Sequence, residues 1–155
     1  MKTIRTLAAA LLAAFIAAPA AAQPKPGIEK LYVLYCGDIA LVDASSFTPG
    51  ASGPGHLSVT CYLIKHGSNW VLFDTGLGDQ IVNMPEGQKS NAGVWTVKKT
   101  LTSQLAEIGL KPSDVTHLIL SHSHPDHVGN LAMFEGATLV VQKPEYDWKI
   151  GRAHV

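Results

Sequence analysis

The chain is poor in several things at once. Charged residues make up 15% and aromatic residues 7% of its 155 positions, and there are only two cysteines. Twelve Lys and Arg balance twelve Asp and Glu, so the formal net charge is zero. Without a basic excess there is no sign of a nucleic-acid surface, whose phosphate contacts need clustered Lys and Arg. Two cysteines are too few for a disulfide scaffold. No long polar low-complexity tract is present, which argues against a disordered chain. Only one long apolar run exists, and this excludes a protein that crosses a membrane several times. The length suits one domain of ordinary size and argues against two.

The single apolar run lies at the start. In residues 1–22, MKTIRTLAAALLAAFIAAPAAA, Lys2 and Arg5 form a positive head and Leu7 to Ala18 an uncharged apolar stretch. Pro19 breaks it, and Ala20-Ala21-Ala22 supplies the small residues of a cleavage site. The run is short for a spanning helix, which takes about 20 apolar residues. It is expected to be a cleaved export signal that leaves no stable membrane anchor, with the mature protein periplasmic or secreted. Residues 23–29 read as a linker, because Gln23-Pro24-Lys25-Pro26-Gly27 suits neither helix nor sheet. Export would permit Cys36 and Cys61 to pair. Spacing cannot test the geometry a bond requires, and two buried free thiols on neighbouring strands is the preferred reading.

Tyr32-Val33-Leu34-Tyr35 lies in a β-rich run ended by Gly37, and residues 43–56, rich in Ser, Gly and Pro, read as a long loop. Residues 57–74 predict a hairpin, its strands separated by His66-Gly67-Ser68-Asn69. Val97, Leu101, Leu105 and Ile108 fall on one face of a helix predicted over about 94–109, with Gly109 as its cap. A buried strand over 115–120, a short helix after Asp126, a strand over 138–142 and a helix from Pro144 come next. Strands first, then alternating helix and strand, predict an α/β domain with a mixed sheet and helices on one face.

The chemistry is concentrated in Ser121-His122-Ser123-His124-Pro125-Asp126-His127-Val128-Gly129-Asn130. Side chains two apart in an extended segment point the same way, so His122 and His124 can reach one metal ion together. Pro125 turns the chain, and Asp126 and His127 then point toward a second position. Imidazoles and a carboxylate suit Zn²⁺, and Fe, Mn or Co are not excluded. His122, His124, Asp126 and His127 are the candidate ligands.

The same segment resembles the HxHxDH signature of the metallo-β-lactamase fold superfamily, and Phe73-Asp74-Thr75-Gly76 is similar to its strand-end D-T-G. The resemblance implies the first half of an αββα sandwich over residues 30–149. It also implies that Asp74 stands behind the metals and orients a ligand histidine through its other ring nitrogen. Within the superfamily the chain is most similar to N-acyl-homoserine lactonases. The stretches that carry this are Lys30-Leu31-Tyr32, Thr60-Cys61-Tyr62-Leu63 and Val141-Gln142-Lys143-Pro144-Glu145-Tyr146. That similarity implies an exported hydrolase with two Zn²⁺ ions that opens a small-molecule lactone, or another cyclic ester or amide, with a metal-bound hydroxide. Asp126 would be a ligand that also holds or moves a proton. A zinc β-lactamase or other hydrolase on this fold, and a metal-binding relative without catalysis, stand as alternatives. A homodimer of the full-length protein is left open, and nucleic acid is not an expected partner. The long loops over 43–56 and 78–95 could cover the cleft, with Phe47, Met84 and Trp95 as candidate acyl-chain contacts, although such residues more often pin a loop to the core.

The superfamily's domain normally exceeds 200 residues, and its second half supplies a third histidine, a bridging Asp and a final histidine, none of which is found here. One face of the sheet is therefore expected to lie uncovered, and the 155-residue chain to be aggregation-prone and little active. Residues 150–155, IGRAHV, carry no resemblance. They are what ATC GGA AGA GCA CAC GTC encodes, the start of a common sequencing adapter whose next codon is a stop, so a non-native tail is expected there. Without Lys2, Arg5 and Arg152 the body keeps nine basic residues against twelve acidic ones.

Overall fold

In the computed structural model, residues 27–150 are described. The expected export signal, linker residues 23–26 and tail residues 151–155 lie outside them. Strand β1 (Ile28–Leu41) begins two residues inside the segment read as linker. It pairs antiparallel with β2 (Gly55–His66), which turns through Gly67 into β3 (Asn69–Phe73), the predicted hairpin. The short strands β4 (Gln88–Lys89) and β5 (Gly93–Thr96) extend the other edge. Then come α1 (Leu101–Glu107), β6 (His117–Leu120), α2 (Pro125–Val128), β7 (Thr138–Val141) and α3 (Lys143–Ile150). The sheet order is β4-β5-β1-β2-β3-β6-β7, and the β3–β6 and β6–β7 pairs are parallel. The mixed sheet is as expected.

Strand register sorts the residues by face. Leu63, Leu72 and Leu118 are aligned across three strands. They are essentially inaccessible, as are Leu101 and Leu105 of α1 packed in the same core. Each such leucine contributes about 1.5–3 kcal/mol relative to exposure. The neighbouring row, Val33-Tyr62-Phe73-Ile119-Val140, runs across five strands on the opposite face. There Val33 is 64% and Val140 46% exposed. An apolar row of this length facing outward is the uncovered face anticipated from the sequence.

A bulge between Tyr35 and Gly37 lets β1 serve one core throughout. Leu34 before it, the bulged Cys36 itself, and Ile39 and Leu41 after it all point inward, a phase change that strict alternation forbids. Gln104 of α1 holds the bulge by accepting from Tyr35 N–H at 3.0 Å and donating to its carbonyl at 2.6 Å.

Two sequence expectations are corrected. The helix predicted over 94–109 is only Leu101–Glu107; residues 93–96 form β5 against Asp38–Leu41. The four-residue apolar spacing is real, but Val97 reaches the core from extended chain. The helix starts where Thr100 accepts from Ser103 N–H at 3.1 Å and Asp79 accepts from the Leu101 and Thr102 amides at 2.8 and 3.1 Å. Gly109, at φ 78°, follows the helix as its left-handed stop, as expected. The second correction concerns the thiols. Cys36 and Cys61 form a disulfide across β1 and β2, with Cα atoms 5.9 Å apart. The bulge sets that distance, and a linear reading of the chain does not reveal it.

Candidate metal centre

Two strand ends and one helix build the site. β3 ends at Phe73, and Asp74 follows at φ 60°, a left-handed conformation that Asp tolerates better than most residues. Its amide donates to Ile119 O at 2.8 Å, which joins it to the neighbouring parallel strand. After β6, Ser121–His124 runs on to Pro125, which starts α2. Pro at this position loses no helical hydrogen bond.

This path gathers the predicted residues. The His122 ring centre lies 4.6 Å from that of His124 and 4.0 Å from that of His127. All three line a cleft of about 530 Å³ together with Asp126. Asp74 is 4% exposed and stands behind them, its Oδ2 2.8 Å from His127 Nδ1. Its carboxylate also accepts from Ser121 N–H and Oγ–H, both at 2.8 Å. Ser121 Oγ is in turn 3.0 Å from His122 Nδ1 and 3.1 Å from His127 Nδ1. One buried carboxylate thereby reaches the Nδ1 sides of two imidazoles, the arrangement that fixes ring orientation in metal sites. His56 lies elsewhere, 3.2 Å from Asp38.

The electrostatics are those of a charged pocket. Hydrogen bonds donated to the Asp126 and Asp74 carboxylates outweigh burial and raise His127 from 6.5 to about 9. Burial would raise Asp74, but the bonds from His127 and Ser121 hold it below its ordinary value. The bond to His127 likewise lowers Asp126. Desolvation and the neighbouring His127 and His124 lower His122, keeping it a neutral donor.

Among the described residues no group of three His, Cys, Asp or Glu side chains is arranged to hold a metal ion. His127 Nε2 sits 3.3 Å from Asp126 Oδ2, so two candidate ligands face each other. The donor chemistry nonetheless suits a divalent cation. It comprises imidazoles and a carboxylate on one cleft wall, with the rear nitrogen of His127 already committed to Asp74.

Three supporting residues receive no role from the sequence, although Gly129 and Asn130 stand in the histidine segment and Glu145 in the stretch similar to lactonases. Asn130, 2% exposed, donates to Thr75 O and Leu77 O and accepts from Asp79 N–H, which ties the 75–79 turn to the end of the histidine segment. Gly129 N–H donates to Gly76 O at 2.8 Å. Glu145, from α3, accepts from Ser123 N–H at 3.1 Å and Oγ–H at 2.6 Å, clamping the residue between His122 and His124. Glu145→Ala is expected to weaken Zn²⁺ binding by about tenfold, the lower end for outer-shell partners. Glu145→Gln, which keeps an acceptor oxygen, should recover most of that loss in a chelator-competition titration.

The far wall of the cleft is apolar, with Ile39, Leu41, Phe47, Leu57, Val59 and Trp95. Of the three loop residues singled out from the sequence, Phe47 and Trp95 line it, and Met84 does not. Trp95 Nε1 is buried with no hydrogen-bond partner among the described residues.

A strand-end Asp behind a histidine-rich strand-to-helix turn is the site of a metallo-hydrolase fold. Residues 54–149 match the profile of the Metallo-beta-lactamase superfamily, and the chain belongs to it. It is similar to the N-acyl homoserine lactonase of Bacillus cereus, 30% identical over 129 residues that cover 77% of this chain and 51% of that one. Among solved structures it superposes on an N-acyl homoserine lactone hydrolase with the product N-hexanoyl-L-homoserine at its catalytic metal centre. That match has a TM-score of 0.64 and 30% identity, and covers 77% of this chain and 51% of the other. AidC, a dizinc quorum-quenching lactonase, matches in fold at a TM-score of 0.56 and 23% identity, covering 80% of this chain and 47% of its own. The chain spans about half the length of the curated relatives it matches. The mixed sheet with one bare face accordingly corresponds to part of the αββα sandwich.

Proposed function

We propose that the protein is an exported, metal-dependent hydrolase that opens the lactone ring of N-acyl homoserine lactones. One observation carries the reading: a histidine–carboxylate cluster backed by Asp74 opens on a cleft whose other wall is apolar. The cluster suits an ester carbonyl and the wall suits an acyl chain. Divalent cations at such a donor set, Zn²⁺ first, supply an acidified water and a Lewis acid for a carbonyl oxygen. The rest is the work of this chain's side chains. Asp74 holds His127 by Nδ1 and turns Nε2 toward the cleft. His122 stays neutral and ready to donate a lone pair. Asp126 Oδ2 takes a proton from the attacking water and passes it to the leaving ring oxygen. Ile39, Leu41 and Phe47 keep the acyl chain out of water.

Export is supported by the charged head, apolar stretch and small-residue site of residues 1–22. The 155-residue chain by itself is proposed to turn over little lactone, because an apolar row remains exposed and the relatives are about twice as long. The test is mass-spectrometric detection of ring opening with an N-acyl homoserine lactone and, in parallel, a β-lactam. It uses the 155-residue chain and the product of the complete gene, whatever follows residue 149 there. Lactone opening by the longer protein alone is expected. Preference for the β-lactam would overturn the substrate, and a fully active 155-residue monomer would overturn the inactivity.

A further inference from the structure

The Cys36–Cys61 bond lies beneath the site, outside the ligand cluster itself. Cys36 is 3% exposed and Cys61 is fully buried. Leu77 N–H donates to Cys36 O at 3.0 Å. A Cβ placed on Gly76 would overlap Cys36 Cβ and lie 2.8 Å from Cys36 O and 3.0 Å from its Sγ. The Gly76 backbone therefore rests directly on the bonded cysteine, which is why no side chain fits at that position. On the other side of Cys36, a Cβ on Gly37 would come within 3.1 Å of Leu77 Cγ. The turn above Cys36 holds two left-handed residues, Asp74 at φ 60° and Gly76 at φ 69°. A non-glycine residue persists there only when its surroundings over-determine it.

From this turn the contacts run straight into the candidate ligands. Thr75 N–H donates to His127 O at 2.8 Å, Gly129 N–H donates to Gly76 O at 2.8 Å, and Asp74 Oδ2 meets His127 Nδ1 at 2.8 Å. We propose that the Cys36–Cys61 disulfide is a positioning element of the metal centre. It fixes the floor under Asp74–Leu77 and so governs how tightly the cluster retains a divalent cation. This rests on His122, His124, Asp126 and His127 being the ligands. The bond is sealed from solvent, so it acts as a permanent brace, formed once in an oxidising compartment.

The experiment measures Zn²⁺ affinity of the full chain by competition with a chromogenic chelator, alongside thermal melts. The comparison covers the oxidised wild type, Cys36→Ala/Cys61→Ala, and Thr100→Ala, which removes the α1 cap but leaves the disulfide intact. The double variant is expected to bind Zn²⁺ about tenfold more weakly in the folded state. Thr100→Ala should lose melting temperature but keep its affinity within twofold. A merely structural bond would lower melting temperature in both and affinity in neither, and equal affinity in the double variant overturns the proposal. If the double variant does not fold, Cys61→Ala decides, because it breaks the bond but leaves Cys36 in place under Gly76. The same weakening is expected there, and unchanged affinity overturns the proposal. Absence of Zn²⁺ binding by the wild type would instead overturn the ligand assignment, and the brace with it.

Discussion

Asp74→Asn is expected to weaken Zn²⁺ binding by about 10- to 100-fold. The substitution nearly preserves shape but removes the charge that faces His127, and it replaces one acceptor oxygen with a donor. Asp74 now satisfies three groups with its two oxygens: Ser121 N–H, Ser121 Oγ–H and His127 Nδ1. An amide cannot accept all three, so His127 loses its fixed orientation and some of its basicity as a ligand. Chelator competition reads the affinity, and a far-UV melt shows whether the chain still folds. An unchanged affinity in a folded variant would mean that Asp74 merely shapes the turn.

Gly129→Ala is expected to cost about 3 kcal/mol, or roughly 10 °C in melting temperature for a chain of this size. Its backbone is ordinary right-handed helix, φ −59°, so conformation does not demand glycine. Space does. A Cβ there would overlap Gly78 N and lie 2.6 Å from Gly76 O and 2.7 Å from Leu77 C, all of it backbone that cannot rotate away. The change forces apart the 76–78 turn and the end of the histidine segment, the two pieces that Asn130 stitches together. Gly136→Ala, where nothing lies within 4 Å, is the matched control and should leave the melt unchanged. Equal melts for the two would show that the turn yields freely.

Local chemistry made some features legible in advance. His122, His124, Asp126 and His127 fall within six residues, and the structure brings three imidazole rings within 4.0–4.6 Å neighbour to neighbour. The β2–β3 hairpin was equally plain, since alternation and a Gly-containing turn act over a few residues. Helix α1 was half-legible: its apolar spacing was correct, but β5 took residues 93–96 because a sheet edge was there to pair with. Strand pairing is a long-range gain that no window of local sequence contains.

By itself the sequence determined which groups could meet a cation and roughly where chain direction changes, because ligand type, proline and glycine act locally. Tertiary structure alone decided the rest. It paired Cys36 with Cys61 through a bulge in β1, brought Glu145 of α3 onto Ser123, and set Gly129 against the 76–78 backbone. It also turned the row Val33-Tyr62-Phe73-Ile119-Val140 outward on one face of the sheet. Each of these depends on the register between segments distant in the chain. Register is fixed by the burial of whole faces at once, a property of the packed sheet that no single segment carries.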